Sequence, residues 1–186
     1  MKTLMPDEMF LSYRDVTAEM LSRKNIQTLL VDIDNTLAPY ETAEPDEACK
    51  AWIDALTKAG IRIVLISNNN PARVELFNQS LGLPAVPDSG KPGTKKIRAV
   101  CEKHGIGLSN AACLGDQLLT DAWLAHKLGA VALIVPPIKD KSNAFFRWKR
   151  RRERKHILRY MEMHPDYTYP FEKAAGSPEW KRISKL

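Results

Sequence analysis

The chain has 186 residues, of which 44% are hydrophobic and 27% charged, and it carries a formal net charge of +6. These values are typical of a soluble globular protein with one domain of ordinary size. The beginning of the chain lacks the apolar stretch of a secretory signal, and no window contains the roughly 18 apolar residues of a membrane span. We therefore expect a cytoplasmic protein.

Cysteine usage agrees with this expectation. The three cysteines are widely spaced and form no C-x-x-C pair, which argues against a disulfide framework and against a zinc site. We predict that Cys101 and Cys113 are buried and act as small hydrophobic residues.

The hydrophobic pattern predicts strands that alternate with helices. Residues 1–26 are predicted to form an irregular arm with one helix around Tyr13 to Arg23. Short strands that alternate with helices are typical of an α/β fold with a doubly wound parallel sheet. In the helix predicted over 45–60, the residues expected to face inward are Ala48, Trp52, Ala55 and Leu56. The predicted strands are 28–33, 61–67, 83–88, 111–116 and 130–135, and the later helices are 68–82, 91–105 and 119–129.

The positive charge is concentrated in one segment. Residues 139–160 hold ten Lys or Arg against Asp140 and Glu153, a local net charge of +8, so the rest of the chain carries −2. The alternation of strands and helices stops at Pro136-Pro137. We therefore divide the chain into an arm (1–26), a core (27–138) and a basic, aromatic extension (139–186).

Polar side chains follow the predicted strands at the points where the strands end. Asp32 and Asp34 close the first strand, Ser67 and Asn68 the second, and Asp116 a later one. Lys91 opens the helix after the short third strand. Because ligands of such sheets collect at the carboxyl ends of the strands, these groups are expected to converge there.

This set of groups suits phosphoryl transfer. One carboxylate can attack phosphorus to form an aspartyl-phosphate. A second carboxylate can protonate the leaving oxygen and then deprotonate the attacking water. Asp32 and Asp34 fit these roles because strand alternation places them on one side of the chain. Crowded carboxylates also predict magnesium, while Ser67 and Lys91 would stabilise the phosphate oxygens.

Four motifs in the correct order resemble the haloacid dehalogenase (HAD) superfamily of phosphatases. They are "DIDNT" (32–36), "LISNN" (65–69), "GKPG" (90–93) and "LGDQLLTD" (114–121). The details resemble the YqeG-type phosphatases of subclass IIIA, a group that includes the mitochondrial and plastid phosphatidylglycerophosphate phosphatases. The resemblance implies a Rossmann-like HAD core over roughly residues 25–137.

The resemblance also implies a role for each motif residue. Asp32 would be the nucleophile and Asp34 the general acid and base. Asp34 would give the metal its backbone carbonyl, and Asp121 would support the metal site, although it could also be a first-turn helix acid. Thr36 would stabilise the loop. From the residues alone, Asn35, Asn68 and Asn69 either bind phosphate or shape turns, and the Asn68 backbone N–H is the best candidate for a phosphate contact. The predicted catalytic residues are Asp32, Asp34, Ser67 and Lys91, the metal residues Asp32, Asp34, Asp116 and Asp121, and the phosphate-binding residues Asn35, Thr36, Ser67, Asn68 and Lys91.

The spacing between motifs predicts an open site. Superfamily members that enclose small substrates insert a cap domain between these motifs, but 35 positions from Asp32 to Ser67 and 24 from Ser67 to Lys91 leave no room for one. An open site favours a phosphate on a large or surface-bound substrate, or a cap lent by a partner subunit. Phosphatidylglycerophosphate is the leading substrate hypothesis, and a nucleic-acid 3′-end phosphate is the alternative.

The basic segment 139–160 has three interpretations. It is a solvated helix that packs its aromatic side chains on the core, an interfacial helix attracted to anionic lipid, or a contact to RNA or DNA phosphates. The second interpretation predicts a protein peripheral at a membrane. The third leads to a rival hypothesis in which the chain is a regulatory module on ribosomes or RNA. We expect the following tail to be irregular, with aromatic residues that dock on the body.

Overall fold

A computed structural model of the chain shows a six-stranded parallel sheet. It describes residues 4–139 and 144–170, and of residues 144–147 the backbone alone. The strands lie in the order β1-β6-β5-β2-β3-β4, and every neighbouring pair is parallel. They are β1 Glu8–Met9, β2 Thr28–Asp32, β3 Arg62–Ile66, β4 Ala85–Val86, β5 Ala111–Gly115 and β6 Val131–Ile134.

The helices begin where the sequence supplies a capping side chain. Asp46 accepts a hydrogen bond from the backbone N–H of Cys49 at 2.7 Å, and Asn70 accepts one from Arg73 at 3.0 Å. Pro71 takes the first helical position after Asn70, where its missing N–H has no consequence. The α-helices are α1 Ala18–Arg23, α2 Glu47–Lys58, α3 Pro71–Asn78, α4 Lys95–Lys103, α5 Trp123–Leu128 and α6 Ala144–Met163.

The two faces of the sheet are covered by different helices. In β2, Leu29 and Val31 pack against residues of α1, α2 and α3. Leu30, between them, faces the opposite side, which α4, α5 and α6 cover. Both faces are buried, as expected for a parallel sheet with strands that are apolar throughout. The predicted Rossmann-like α/β fold is confirmed.

The N-terminal arm is more regular than predicted. Glu8 and Met9 form the edge strand β1 beside β6, and Asp7 extends the pairing by donating its N–H to the Ala132 carbonyl. The predicted helix splits into a 3₁₀ turn (Tyr13–Asp15) and α1. A two-residue strand is too short to show an alternating pattern, so β1 could not be predicted from the sequence.

The buried stripe of α2 also differs from the prediction. Cys49, Ile53 and Leu56 face the core, Trp52 is half-buried, and Ala48 and Ala55 are exposed. The prediction was right for Leu56 and wrong for Ala48 and Ala55. It passed over Ile53 and over the thiol of Cys49, which packs as a hydrophobic residue here. Cys101 and Cys113 are buried, as predicted.

The basic segment forms α6 and packs on the body. Ile157 and Tyr160 are buried, and the Tyr160 hydroxyl accepts a hydrogen bond from the backbone N–H of Met9 at 3.1 Å. Tyr169, in the tail, is also buried. Among the described residues, no helix is long and apolar enough to cross a membrane. The aromatic side chains of Phe145 and Phe146, and the tail beyond residue 170, lie outside the described part of the chain.

Candidate active site

Most of the predicted groups line one cavity at the carboxyl edge of the sheet. β2 ends at Asp32, β3 leads into Ser67, and β5 leads into Asp116. The cavity has a volume of about 200 Å³, small beside the roughly 300–1,000 Å³ of pockets that enclose a drug-sized ligand. It is lined by Asp32, Asp34, Tyr40, Ser67, Asn68, Asn69, Lys91, Gln117, Thr120, Asp121 and Lys149.

A buried lysine lies between two carboxylates at the base of this cavity. Lys91 Nζ donates to Asp32 Oδ1 at 2.5 Å and to Asp121 Oδ1 at 2.8 Å. All three side chains are almost fully buried. Asp32 Oδ2 accepts a further hydrogen bond from the Thr36 hydroxyl at 3.1 Å, so both of its oxygens are held in place.

Burial and mutual repulsion shift the protonation of this cluster. Exclusion of water raises the pKa of Asp32 to about 7; the Lys91 ammonium opposes this shift and Asp121 adds to it. Burial also raises the pKa of Asp116 well above its usual range, and repulsion from Asp32 and Asp121 contributes. Burial alone would lower the pKa of Lys91, but Asp121 and Asp32 outweigh it and raise that pKa above its ordinary value. The cluster therefore has more negative charge than one ammonium can neutralise, which favours the binding of a further cation.

The Asp34 side chain does not contact Lys91 and is held by residues that follow the neighbouring strand β3. Its Oδ2 accepts hydrogen bonds from the Ser67 hydroxyl at 3.0 Å and the Asn69 amide at 3.4 Å. Its Oδ1 lies 3.3 Å from the Arg73 guanidinium, in an ion pair that is mostly buried. Asp34 thus borders the cavity beside Asp32 but is oriented by other partners.

Three carboxylates are placed to share a metal ion. One oxygen each from Asp32, Asp116 and Asp121 lies within 4.8 Å of the others. Gly115 permits this arrangement, because a Cβ atom there would lie 2.2 Å from Asp121 Cγ. The Asp34 carboxylate is not part of this cluster, which is compatible with the prediction that Asp34 offers the metal its backbone carbonyl.

The side chains of two residues predicted to bind phosphate contact other protein groups in the structure. The Asn35 amide donates to the Lys139 carbonyl at 2.8 Å, and the Asn35 side-chain oxygen accepts from the Lys139 N–H at 3.1 Å. The Thr36 hydroxyl is taken up by Asp32. Neither residue lines the cavity. The Thr36 contact fits the loop-stabilising role that the resemblance implies, and phosphate binding by either residue stays a prediction.

Asn68 lines the cavity and also fixes the lysine loop. Its side-chain oxygen accepts from the Lys91 N–H at 2.7 Å and from the Ser89 hydroxyl at 2.8 Å. Ser67 Oγ, which donates to Asp34, accepts from the Asn69 N–H at 2.9 Å. The second motif therefore links the Asp34 network to the loop that carries Lys91.

The helix α6 reaches the rim of the cavity. The Glu153 side chain is buried and accepts a hydrogen bond from the Leu119 N–H at 2.9 Å, in the π-helical turn Leu118–Ala122 that carries Asp121. One turn earlier in α6, Lys149 Nζ donates to Gln117 Oε1 at 3.1 Å. Through these contacts the basic segment forms part of the site.

We expect Glu153→Gln to make the protein more stable at alkaline pH. Burial raises the pKa of Glu153 from an ordinary 4.5 to about 7. Between these values the folded state holds a proton that the unfolded chain releases, so stability falls as pH rises through this window. Glutamine keeps an oxygen for the Leu119 N–H without this loss. Between pH 5 and pH 8, the free energy of unfolding of the variant, measured in urea, should rise by roughly 1–3 kcal/mol relative to that of wild type.

Glu162→Gln is the matched control, because Glu162 is exposed on the same helix. Its difference from wild type should stay within about 0.5 kcal/mol at both pH values. If the free energies of unfolding of Glu153→Gln and wild type differed by the same amount at pH 5 and pH 8, the raised pKa of Glu153 would be contradicted.

Several residues of the site were missed by sequence reasoning. Arg73 and Tyr40 lie in stretches without a recognisable motif, and no signal pointed to them. Lys149 is one of ten Lys or Arg in residues 139–160, and nothing in the sequence distinguishes it from the others. Glu153 did have a signal: a lone acid within "RRRERK" is unusual in an otherwise basic run.

The fold and the four motifs at this edge define a class of protein, the HAD-type phosphatases. Comparison with known families gives the same result. The family model "Mitochondrial PGP phosphatase" matches residues 1–138, and the chain belongs to this family. It is a phosphatase, a hydrolase of phosphoric monoesters. It is also similar to the Probable phosphatase YqeG of Bacillus subtilis, with 29% identity over 154 residues that cover 83% of this chain and 90% of the relative.

Several solved structures are similar to part of this chain at low identity, with TM-scores below 0.5. A hypothetical protein from Xanthomonas campestris matches with a TM-score of 0.48 and 23% identity, over 72% of this chain and 76% of the other. A second match is a 3-deoxy-D-manno-octulosonate 8-phosphate phosphatase from Moraxella catarrhalis, in complex with magnesium and phosphate ions and KDO. Its TM-score is 0.47 and its identity 19%, over 73% of this chain and 91% of the other. A structure from Legionella pneumophila described as a HAD-superfamily (subfamily III A) hydrolase has a TM-score of 0.42 and an identity of 19%. The match covers 59% of this chain and 63% of the other.

Proposed function

We propose that the chain is a magnesium-dependent phosphomonoesterase that acts through an aspartyl-phosphate on Asp32. The observation that carries this proposal is the cluster of Asp32, Lys91, Asp116 and Asp121 at the end of β2 and β5. Asp32 is fixed through both oxygens by Lys91 and Thr36, which holds it as an oriented nucleophile. Asp34 borders the same cavity and is free of the Lys91 network.

The proposed reaction has two steps. In the first, an oxygen of Asp32 attacks phosphorus, the bond to the leaving oxygen breaks, and Asp34 gives that oxygen a proton. In the second, Asp34 takes a proton from a water molecule, which attacks phosphorus and releases Asp32 and inorganic phosphate. Lys91, the Ser67 hydroxyl and the Asn68 backbone N–H would stabilise the phosphoryl oxygens as charge develops on them.

The donor set fits magnesium. Asp32, Asp116 and Asp121 offer carboxylate oxygens close together, and these are the ligands that a hard cation prefers. Asp34 would add its backbone carbonyl. The repulsion among these buried carboxylates agrees with this assignment, because a bound cation would relieve it. When bound, the ion supplies charge neutralisation for the transferred phosphoryl group.

The substrate we propose is a phosphate ester presented at a surface, and phosphatidylglycerophosphate is the first candidate. The small cavity accepts the phosphate, and the residues between the motifs form no cap over it: 33–61 contain α2 and 67–90 contain α3 and β4. The family match supports this candidate.

The outer face of α6 supports a membrane surface as the setting. Arg151, Arg152, Lys155 and Arg159 are exposed along one side of the helix, with Trp148 half exposed at its beginning. Such a stripe is attracted to anionic lipid headgroups. Nucleic-acid phosphates would satisfy the same charges, so a phosphatase for 3′-phosphorylated ends and an RNA-binding module are the alternatives to be tested.

The deciding experiment measures phosphate release from three substrates with and without magnesium. They are vesicles containing phosphatidylglycerophosphate, a 3′-phosphorylated oligonucleotide and a soluble aryl phosphate. We expect magnesium-dependent release from the vesicles. The variant with Arg151, Arg152 and Lys155 changed to Gln should lower the ratio of vesicle to aryl phosphate activity.

Release from the oligonucleotide alone would replace the lipid by a nucleic acid as substrate. Absence of release from all three substrates, together with salt-sensitive RNA binding, would favour the RNA-binding module.

A further inference from the structure

We propose that Lys149 of α6 is a specificity residue that binds a second anionic group on the substrate's leaving alcohol. The substrate class is then a phosphate monoester that carries another phosphate, a phosphodiester or a carboxylate a few bonds away. The inference rests on the proposed phosphatase function and adds a requirement to it.

The first support is the position of Lys149. Among the described residues that line the cavity, the cations are Lys91 and Lys149. Lys91 holds Asp32 and Asp121 and is buried at the base, where the reacting phosphate binds. Lys149 comes from outside the four motifs and reaches the cavity from α6. The two cations thus belong to different parts of the site.

The size of the cavity is the second support. About 200 Å³ accommodates the reacting phosphate and little more, so the rest of the alcohol must extend past the rim. Lys149 belongs to the helix that covers this rim, so an anion on the emerging part of the substrate would meet its ammonium. A phosphate or carboxylate oxygen is a stronger acceptor for an ammonium than the Gln117 amide oxygen that Lys149 contacts at 3.1 Å.

The third support is the way in which α6 is fixed. Glu153, one turn after Lys149, is 4% exposed and accepts the Leu119 N–H. Ile157 and Tyr160 continue the same buried side of the helix. The backbone of Lys149 is therefore positioned by packing, and its side chain lines the cavity beside Gln117. A positioned ammonium at the mouth of an open site adds selectivity that a cap would otherwise provide.

The test compares two substrates with one carbon skeleton, propane-1,3-diyl bisphosphate and 3-hydroxypropyl phosphate. The measured quantity is the ratio of kcat/KM for the bisphosphate to kcat/KM for the monophosphate. In Lys149→Met this ratio should fall about 10-fold or more, because a charge-assisted hydrogen bond to the second phosphate is lost. The loss should come mainly from a higher KM for the bisphosphate. Lys149→Arg should restore most of the ratio.

Lys103→Met is the matched control, since Lys103 is an exposed lysine of α4 that lies outside the cavity. Its ratio should equal that of wild type. An unchanged ratio in Lys149→Met, with thermal unfolding like wild type, would overturn this inference and leave the phosphatase in place. Release by the wild type from phosphatidylglycerophosphate vesicles but from neither compound would overturn this inference and leave the phosphatase in place, and release from none of these substrates would overturn both.

Discussion

Asp32→Asn is expected to lose at least about 10⁴-fold in kcat on a soluble aryl phosphate, because the amide cannot form the aspartyl-phosphate. The substitution preserves shape, and the amide oxygen can still accept from Lys91 or Thr36. It also removes a carboxylate that burial makes costly to ionise, as the pKa of about 7 shows. The variant should therefore unfold within a few degrees of wild type in a thermal melt.

The folding measurement separates chemistry from structure. A variant that melts like wild type but is inactive supports Asp32 as the nucleophile. Magnesium-dependent turnover above one hundredth of the wild-type rate would contradict that role.

Lys91→Met is expected to be the most destabilising single change at the site. It leaves Asp32 and Asp121 buried without the ammonium that contacts both at 2.5 and 2.8 Å. Removing one partner of a buried ion pair typically costs about 3–5 kcal/mol. The loss of unfolding free energy should be largest at pH 8 and smaller at pH 5. At pH 5 Asp32 stays protonated in the folded state, since burial raises its pKa from the ordinary 3.8 to about 7, and a protonated carboxyl group needs no counter-ion.

Urea unfolding at both pH values measures this effect. Lys95→Met, at an exposed lysine of α4, is the control and should change the free energy of unfolding by less than about 0.5 kcal/mol. Magnesium should return part of the stability of Lys91→Met, since a bound cation stabilises the folded state that holds it. A Lys91→Met protein as stable as wild type at pH 8 without metal would contradict the role of Lys91 as a counter-ion.

The sequence predicted the sheet and the edge at which polar groups collect. Long apolar strands such as β2 carry a strong pattern, and Asp32, Ser67 and Asp116 follow such strands directly. The two-residue strand β1 has no pattern of its own and depends on pairing with β6. Its position is decided by tertiary contacts, including the Tyr160 hydroxyl that accepts from Met9.

Side-chain direction within the motifs was harder to predict. Asn35 has a left-handed backbone, with φ of 72°, which directs its amide to Lys139 and away from the cavity. From sequence alone, Asp121 could be a helix-terminal acid or a metal residue. In the structure it contacts Lys91, which lies 30 positions earlier in the chain. Lys149 and Arg73 reach the site only through the packing of α6 and α3. A residue pattern along one element does not contain that information.

The most direct test of the account is to trap the phosphorylated enzyme. Asp34→Asn should accept a phosphoryl group from an aryl phosphate with a good leaving group, which needs no proton donor, and should then hydrolyse it slowly. Acid quenching and mass spectrometry should find one phosphoryl group on the peptide that contains Asp32, removable by hydroxylamine. Turnover by wild type with no phosphoryl group on Asp32 in either protein, or with the group on Ser67, would contradict the central claim.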